Sequence, residues 1–164
     1  MSPLNNEERL KRMFAEADIR QLTARFSDAV IRGDVKAFQA LWTDDAVWEI
    51  REPYPSRAEG LPAIVSMLRE LAQPWAFFVQ LTHSGIVEFE TSSSAVARWV
   101  MREVARSVDG QRSYDNLAVY EDRVVSVSDG SWRFSKRSYN YIWLSESPLV
   151  GRSFPPPSGL KRIT

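Results

Sequence analysis

Between Glu7 and Ile31 apolar side chains recur every three or four residues (Leu10, Met13, Phe14, Ala17, then Ile19, Leu22, Phe26, Ala29 and Val30). That spacing gathers one face of a long helix. Gly33 is placed to end it and Asp34 to cap a second helix with Val35, Phe38, Leu41 and Trp42 inward. Asp44-Asp45 reads as a turn, Val47 to Glu52 as a strand, and Pro53, Pro55 and Gly60 as an irregular loop. Pro62, at a first helical position, opens a third helix with Ile64, Met67, Leu68 and Leu71 inward. After Pro74 the period changes from about 3.6 to about 2 and stays there to Leu144. Four strands result, Ala76 to Phe89, Ala95 to Ser107, Tyr114 to Val127 and Ser131 to Leu144, with Asp109-Gly110 and Asp129-Gly130 as hairpin turns. Helices first and strands after predict an α+β fold: a strongly curved antiparallel sheet with three N-terminal helices packed on one face. Residues 1–144 are expected to form one domain, and the Pro-rich segment 145–164 an extended tail.

Treating each Asp-Gly pair as a two-residue turn fixes the strand partners. Tyr120 then faces Tyr139, Asp122 faces Arg137, Trp99 faces Tyr120 and Ala97 faces Asp122. One side of the sheet collects Trp99, Met101, Tyr120, Tyr139 and Tyr141 around the Asp122 and Arg137 pair. Amphipathic rings around a few polar groups are what small-molecule cavities are lined with; plain core packing and a structural ion pair are the competing readings. The other side mixes Val100 and Val119 with Arg98 and Arg102 and suits a dimer interface. His83 shares its strand side with Phe77, Val79, Leu81 and Val87, so it is expected to point inward. An imidazole in an apolar cavity is a suitable general base near neutral pH, and a hydrogen-bonded core histidine is the alternative.

Composition narrows the chemistry. A chain of 164 residues is one domain's worth. Its 21 basic and 21 acidic residues cancel, which removes the field that would draw nucleic acid or an anionic membrane. With no Cys and one His, disulfides, thiol nucleophiles and Cys/His zinc sites are excluded, and no carboxylate spacing suggests another metal. Nucleophile elbows, Gly-rich phosphate loops and dinucleotide fingerprints are absent, so no cofactor is expected. The polar, acidic start Asn5-Asn6-Glu7-Glu8 is unlike a secretory leader, and no run approaches the ~20 apolar residues of a membrane span, so a cytoplasmic protein is expected.

Several motifs carry a resemblance: Ile19-x-x-Leu22-x-x-Arg25-Phe26, Gly33-Asp34, Leu41-Trp42-Thr43-Asp44-Asp45-Ala46, Thr82-His83, Tyr120-x-Asp122-Arg123 and Asp129-Gly130-x-Trp132-Arg133-Phe134. Over about residues 8–144 the chain resembles the SnoaL-like branch of the nuclear transport factor 2-like superfamily. The resemblance implies a cone, a curved sheet wrapped round an apolar cavity closed by helices and commonly dimeric through the convex face. In the dehydratase and dehydrochlorinase members an aspartate at the end of the first helix orients a strand histidine. Here His83 is present but the aspartate position is Ile31. The steroid-isomerase tyrosine and carboxylate positions are Phe26 and Ile50. Asp28 points away from the inward stripe, Asp18 lies nearer it, and Asp122 is a further acceptor for His83 in competition with Arg137.

The reading that follows is a cofactor-independent lyase or isomerase acting by proton abstraction on an apolar aromatic or polycyclic metabolite. His83 would be the base, Tyr120 or Tyr139 the donor to a developing oxyanion, and Asp122 the orienting carboxylate. Phe26, Trp48, Ile50, Trp99, Met101, Arg137 and Tyr139 would line the cavity, and the partner protein would be a second copy. The alternatives are a non-catalytic subunit like the dioxygenase β subunits and a ligand-binding domain without chemistry.

Overall fold

The computed structural model describes residues 5–152 and residue 154. Helix α1 spans Asn6–Arg32 and begins with a capping box: the Asn5 side chain accepts from the Glu8 amide at 2.9 Å and the Asn5 amide donates back to Glu8 Oε2 at 2.9 Å. Gly33 ends it in the left-handed conformation (φ 66°), and Asp34 caps the short helix α2, Val35–Gln39. Strands β1 (Trp42–Ile50) and β2 (Ser56–Glu59) follow, then helix α3 (Leu61–Ala72) with Pro62 in its first turn. Strands β3 (Trp75–Phe89), β4 (Ser94–Ser107), β5 (Ser113–Ser126) and β6 (Trp132–Ser145) complete the chain order. All four late strands stand where the period-two pattern puts them, within a residue or two.

The strands form one curved, unclosed sheet in the order β2-β1-β6-β5-β4-β3. Neighbours run antiparallel except β1 and β6, which are parallel because the chain crosses from one side of the sheet to the other between them. α1 lies against β3 and β6, and α3 against β1 and β2, so the helices cover one face. Ile19, Leu22, Phe26 and Ala29 of α1 and Ile64, Val65, Met67 and Leu68 of α3 are buried there.

Three local readings are corrected. Leu10, Met13 and Phe14 are exposed: before Ile19, the first buried residue of α1, the helix meets the rest of the fold through Arg12, over the Phe89 ring at 5.6 Å, and the half-buried Ala15, and these three side chains lie off that contact. Asp44-Asp45 is not a turn but part of β1, exposed where its pairing with β6 is interrupted between Trp42 and Val47. The loop from Pro53 to Gly60 contains β2, paired to β1 from Ile50↔Ser56 to Val47↔Glu59. Of the 145–164 tail, Ser145–Arg152 and Phe154 are described without further helix; Pro155-Pro156-Pro157 and Ser158-Gly159 lie outside the described residues.

Register decides which side chains meet. The β4–β5 partners Trp99↔Tyr120 and Ala97↔Asp122, and the β5–β6 partners Tyr120↔Tyr139 and Asp122↔Arg137, are as the hairpins predict. The second hairpin reaches that register differently: the Val127 amide donates to the Ser131 carbonyl at 2.9 Å, a longer turn, and an irregularity between Arg123 and Val124 restores the expected pairs. In β3 the phase is opposite to expectation. Phe78, Gln80 and Thr82 stand opposite the inward Ala105, Glu103 and Met101, whereas Phe77, Val79 and Leu81 take the outer side. A bulge between Thr82 and Ser84 then reverses the phase, so Gly85 and Val87 face inward against Trp99 and Ala97.

Gly85 is required by this packing. A Cβ there would sit 2.1 Å from Trp99 Cε3 and 2.6 Å from the Arg98 carbonyl oxygen. Gly85→Ala is therefore expected to cost about 1–3 kcal/mol, read as a lower urea midpoint at unchanged slope. A midpoint equal to that of the parent protein would show that the indole is not fixed against the β3 backbone.

Candidate functional site

One end of the concave face is hollow, with a volume near 700 Å³, within the range of small-molecule sites. Helix α1 contributes Phe26, Val30 and Ile31 to its wall, and β1 contributes Trp48 and Ile50. α3 closes it with Leu68, Leu71 and Ala72. Tyr114, Tyr120, Tyr139 and Tyr141 of β5 and β6 supply a tyrosine wall, in which Tyr120–Tyr139 and Tyr139–Tyr141 meet edge to face at 4.8 and 5.0 Å. The mouth carries exposed polar groups: Gln111, Arg112, Glu146 and Tyr54, whose hydroxyl donates to Glu146 at 2.5 Å.

The interior wall holds one carboxyl group, Glu103, only 7% exposed. Its β4 position places it between Gln80 of β3 and Asn116 of β5. Gln80 Nε2 donates to Glu103 Oε1, and Gln80 Oε1 accepts from Ser27 Oγ at 3.1 Å, so α1 fixes the amide that fixes the carboxyl. Burial raises the Glu103 pKa above the usual carboxylate range, against smaller lowering effects from Gln80, Tyr139, Asn116 and Arg137. The Tyr139 hydroxyl donates to Asn116 Oδ1 at 3.0 Å. Burial, with the Glu103 charge adding to it, raises the phenol pKa values of Tyr114 and Tyr139 and pushes Tyr141 up to about 12. Burial likewise raises Tyr120, opposed by Arg137. These tyrosines are therefore neutral donors at ordinary pH.

Phe26, Trp48, Ile50, Tyr120 and Tyr139 stand in the cavity wall. Trp99, Met101, Asp122 and Arg137 are buried but belong to the solid part of the concave face, not to the wall. The Arg137 guanidinium lies over the rings of Tyr120, Phe26 and Phe134 at 3.8, 4.1 and 4.4 Å, with Nε 3.4 Å from Asp122 Oδ1. Asp122 Oδ2 accepts from Trp99 Nε1 at 2.9 Å, so this carboxylate serves the indole and Arg137, not His83. Burial pushes the Asp122 pKa up to about 6, against the pull of Arg137 and of the Trp99 hydrogen bond.

His83 is the main correction. It is the unpaired residue of the β3 bulge, exposed and outside the cavity wall. The extra residue of a bulge leaves the ladder, and here it takes the imidazole to solvent. Ile31 puts an apolar side chain into the wall where the resemblance places an aspartate. Asp28 pairs with Arg32 at 2.9 Å, and Asp18 is exposed. Glu103 was within reach of the sequence: it lies two residues past Met101, on the same side of β4. A glutamate flanked by Arg102 and Val104 gives no sign of burial, and the inverted phase of β3 hid its partner Gln80.

Among the described residues no cluster of His, Cys, Asp and Glu could hold a metal ion, and no helix is long and apolar enough to cross a membrane. The SnoaL-like domain family matches residues 11–138. Among solved structures, a hexachlorocyclohexane dehydrochlorinase (LinA) of type 2 is 23% identical, with a TM-score of 0.78 over 91% of this chain and 98% of its own. A scytalone dehydratase-like protein of Novosphingobium aromaticivorans is 18% identical, with a TM-score of 0.75 over 90% and 96%. ActVI-ORFA of Streptomyces coelicolor is 13% identical, with a TM-score of 0.65 over 78% and 97%. No curated protein matches the chain.

The Asp122 environment has a signed consequence. Its folded pKa of about 6 lies above the ~3.9 of an unfolded aspartate, so between those values the folded state holds a proton the unfolded chain releases. This group therefore makes unfolding easier as pH rises through that window. In paired urea titrations the stability of the parent minus that of Asp122→Asn should fall from pH 4 to pH 6.5, by up to about 3 kcal/mol. A difference that stays flat or grows would show that pairing with Arg137 outweighs burial.

Proposed function

The chain belongs to the SnoaL-like domain family, and from that premise we propose that it is a cofactor-independent lyase or isomerase that moves a proton on an apolar, ring-bearing metabolite by means of Glu103. The observation that carries this reading is the coincidence of a ring-lined hollow near 700 Å³ with a single buried carboxyl in its interior wall. Burial raises the pKa of this carboxyl, which makes it a stronger base than an exposed glutamate, the direction a proton-abstracting group needs. Gln80, held by Ser27, keeps that carboxyl in one orientation. Tyr120 and Tyr141, neutral and in the same wall, are the donors for oxyanion charge that develops as the proton leaves. Phe26, Trp48 and Ile50 hold the rings of the substrate and exclude water.

On this reading Glu103 takes the place of the histidine–aspartate pair that the resemblance implies, and Ile31 in the wall together with the exposed His83 supports the substitution. The same loss favours a second reading, a binding protein without turnover. The homodimer belongs to the proposal as well: the outer sheet face exposes Leu81, Ile86, Val100 and Leu117, flanked by the pairs Arg98–Glu88 at 3.3 Å and Arg102–Asp115 at 2.7 Å.

Glu103→Gln, which keeps the shape of the side chain, should lower kcat/KM at least 100-fold on any substrate found among hydroxylated and halogenated ring compounds. His83→Gln should leave it unchanged. Parental turnover in Glu103→Gln, or its loss in His83→Gln, would overturn the assignment; equal ring binding with no turnover in the parent would favour the binding reading.

A further inference from the structure

The charge inventory of the hollow is lopsided. Among the described residues its interior wall contains Glu103 and no lysine, arginine or histidine. The charged groups at the mouth, Arg112 and Glu146, are exposed and of opposite sign. Arg137 lies behind the Phe26 and Tyr120 rings, fully buried, and is matched by Asp122 at 3.4 Å. Among the described residues an ionised Glu103 is thus the one charge in that interior wall, Arg137, whose charge also reaches it, being matched by Asp122, and it shares the hollow with the rings of Tyr114, Tyr120, Tyr139 and Tyr141. The same aromatic surface already accepts a cation from outside, since the Arg112 guanidinium sits 5.8 Å from the Trp75 ring, which in turn meets Tyr114 at 4.9 Å.

We infer that the ligand is a ring-bearing amine, whose positively charged nitrogen pairs with the Glu103 carboxylate inside the box of rings. A carboxylate in a ring-lined hollow can replace the hydration shell of an ammonium, the rings by their quadrupoles and the carboxylate by its charge. An anionic ligand would meet Glu103 and find no cation in the interior wall. A neutral ligand would leave that carboxyl without a charged partner in the hollow. The raised phenol pKa values of Tyr114, Tyr139 and Tyr141, to which Glu103 contributes, report the same aversion to further negative charge. The inference rests on the hollow being the ligand site, as proposed above, and not on turnover by Glu103.

Three probes on one ring test it with the full chain: (naphthalen-2-ylmethyl)trimethylammonium, its uncharged carbon isostere 2-neopentylnaphthalene, and 2-naphthylacetate, each measured by equilibrium dialysis at pH 7.5. The cation should bind at least about tenfold tighter than the isostere, the gain of a desolvated cation on rings and a carboxylate. The acid should bind more weakly than either. In Glu103→Gln the preference for the cation should fall to less than threefold, while the isostere binds as before. An isostere or acid that binds as well as the cation would overturn the amine assignment and leave the cavity reading standing. A cation preference that survives in Glu103→Gln would also overturn it, by placing the attraction elsewhere. Failure of all three to bind would overturn the amine assignment together with the cavity reading.

Discussion

The Arg137 guanidinium determines how the concave face is divided. Removing a charge from water is costly, and here the compensation comes from the Asp122 carboxylate at 3.4 Å and from three aromatic faces within 4.4 Å. Its nitrogen atoms have no hydrogen-bond partner among the described residues, so the rings carry much of that compensation. Two of those rings, Phe26 and Tyr120, also line the hollow. The pair therefore fills one end of the sheet solidly and sets two walls of the cavity at the other. Loss of the guanidinium would release the rings that shape the hollow, although Arg137 itself does not line it.

Much of the fold could be read from periodicity, for a specific reason. In β4 the buried positions alternate from Ala95 to Ser107 and in β5 from Asn116 to Val124, most of them apolar, so the phase of both strands is readable and the pairs Trp99↔Tyr120 and Ala97↔Asp122 follow. β3 is an edge strand with a bulge, and its apolar residues fall on both faces: Phe77 and Phe78 are both half-buried. A run of this kind gives no phase, and a slip of one residue reverses every assignment. His83 was misplaced for this reason, and Gln80 was overlooked with it. The exposure of Leu10, Met13 and Phe14 is equally invisible, because they continue the helical period on turns of α1 that precede its first buried residue, Ile19.

The site was legible in part. The rings were found because aromatic residues on a buried face are conspicuous: Phe26, Trp48, Tyr120 and Tyr139 all reach the hollow. Its polar centre was not, because the burial of a glutamate is a property of the neighbours that enclose it. Glu103 is enclosed by Gln80 from a strand whose phase was lost and by Asn116 and Tyr139 from strands that meet it only in the folded sheet. Membership of the SnoaL-like family supplies the scaffold, and within it this chain has an isoleucine and an exposed imidazole at the two positions where the resemblance implies an aspartate and a histidine. The scaffold does not fix the chemistry, and the wall residues of this chain decide it.

The central claim is that the polar centre of the cavity is Glu103. A crystal structure of the protein with a ring compound in the hollow, whether retained through purification or soaked in, tests it most directly. Ligand density is expected between the tyrosine wall and α3, with a polar ligand atom within hydrogen-bonding distance of the Glu103 carboxyl and with His83 facing solvent. A hollow closed by its own side chains, or a ligand whose polar atoms reach His83 and leave Glu103 untouched, would contradict it.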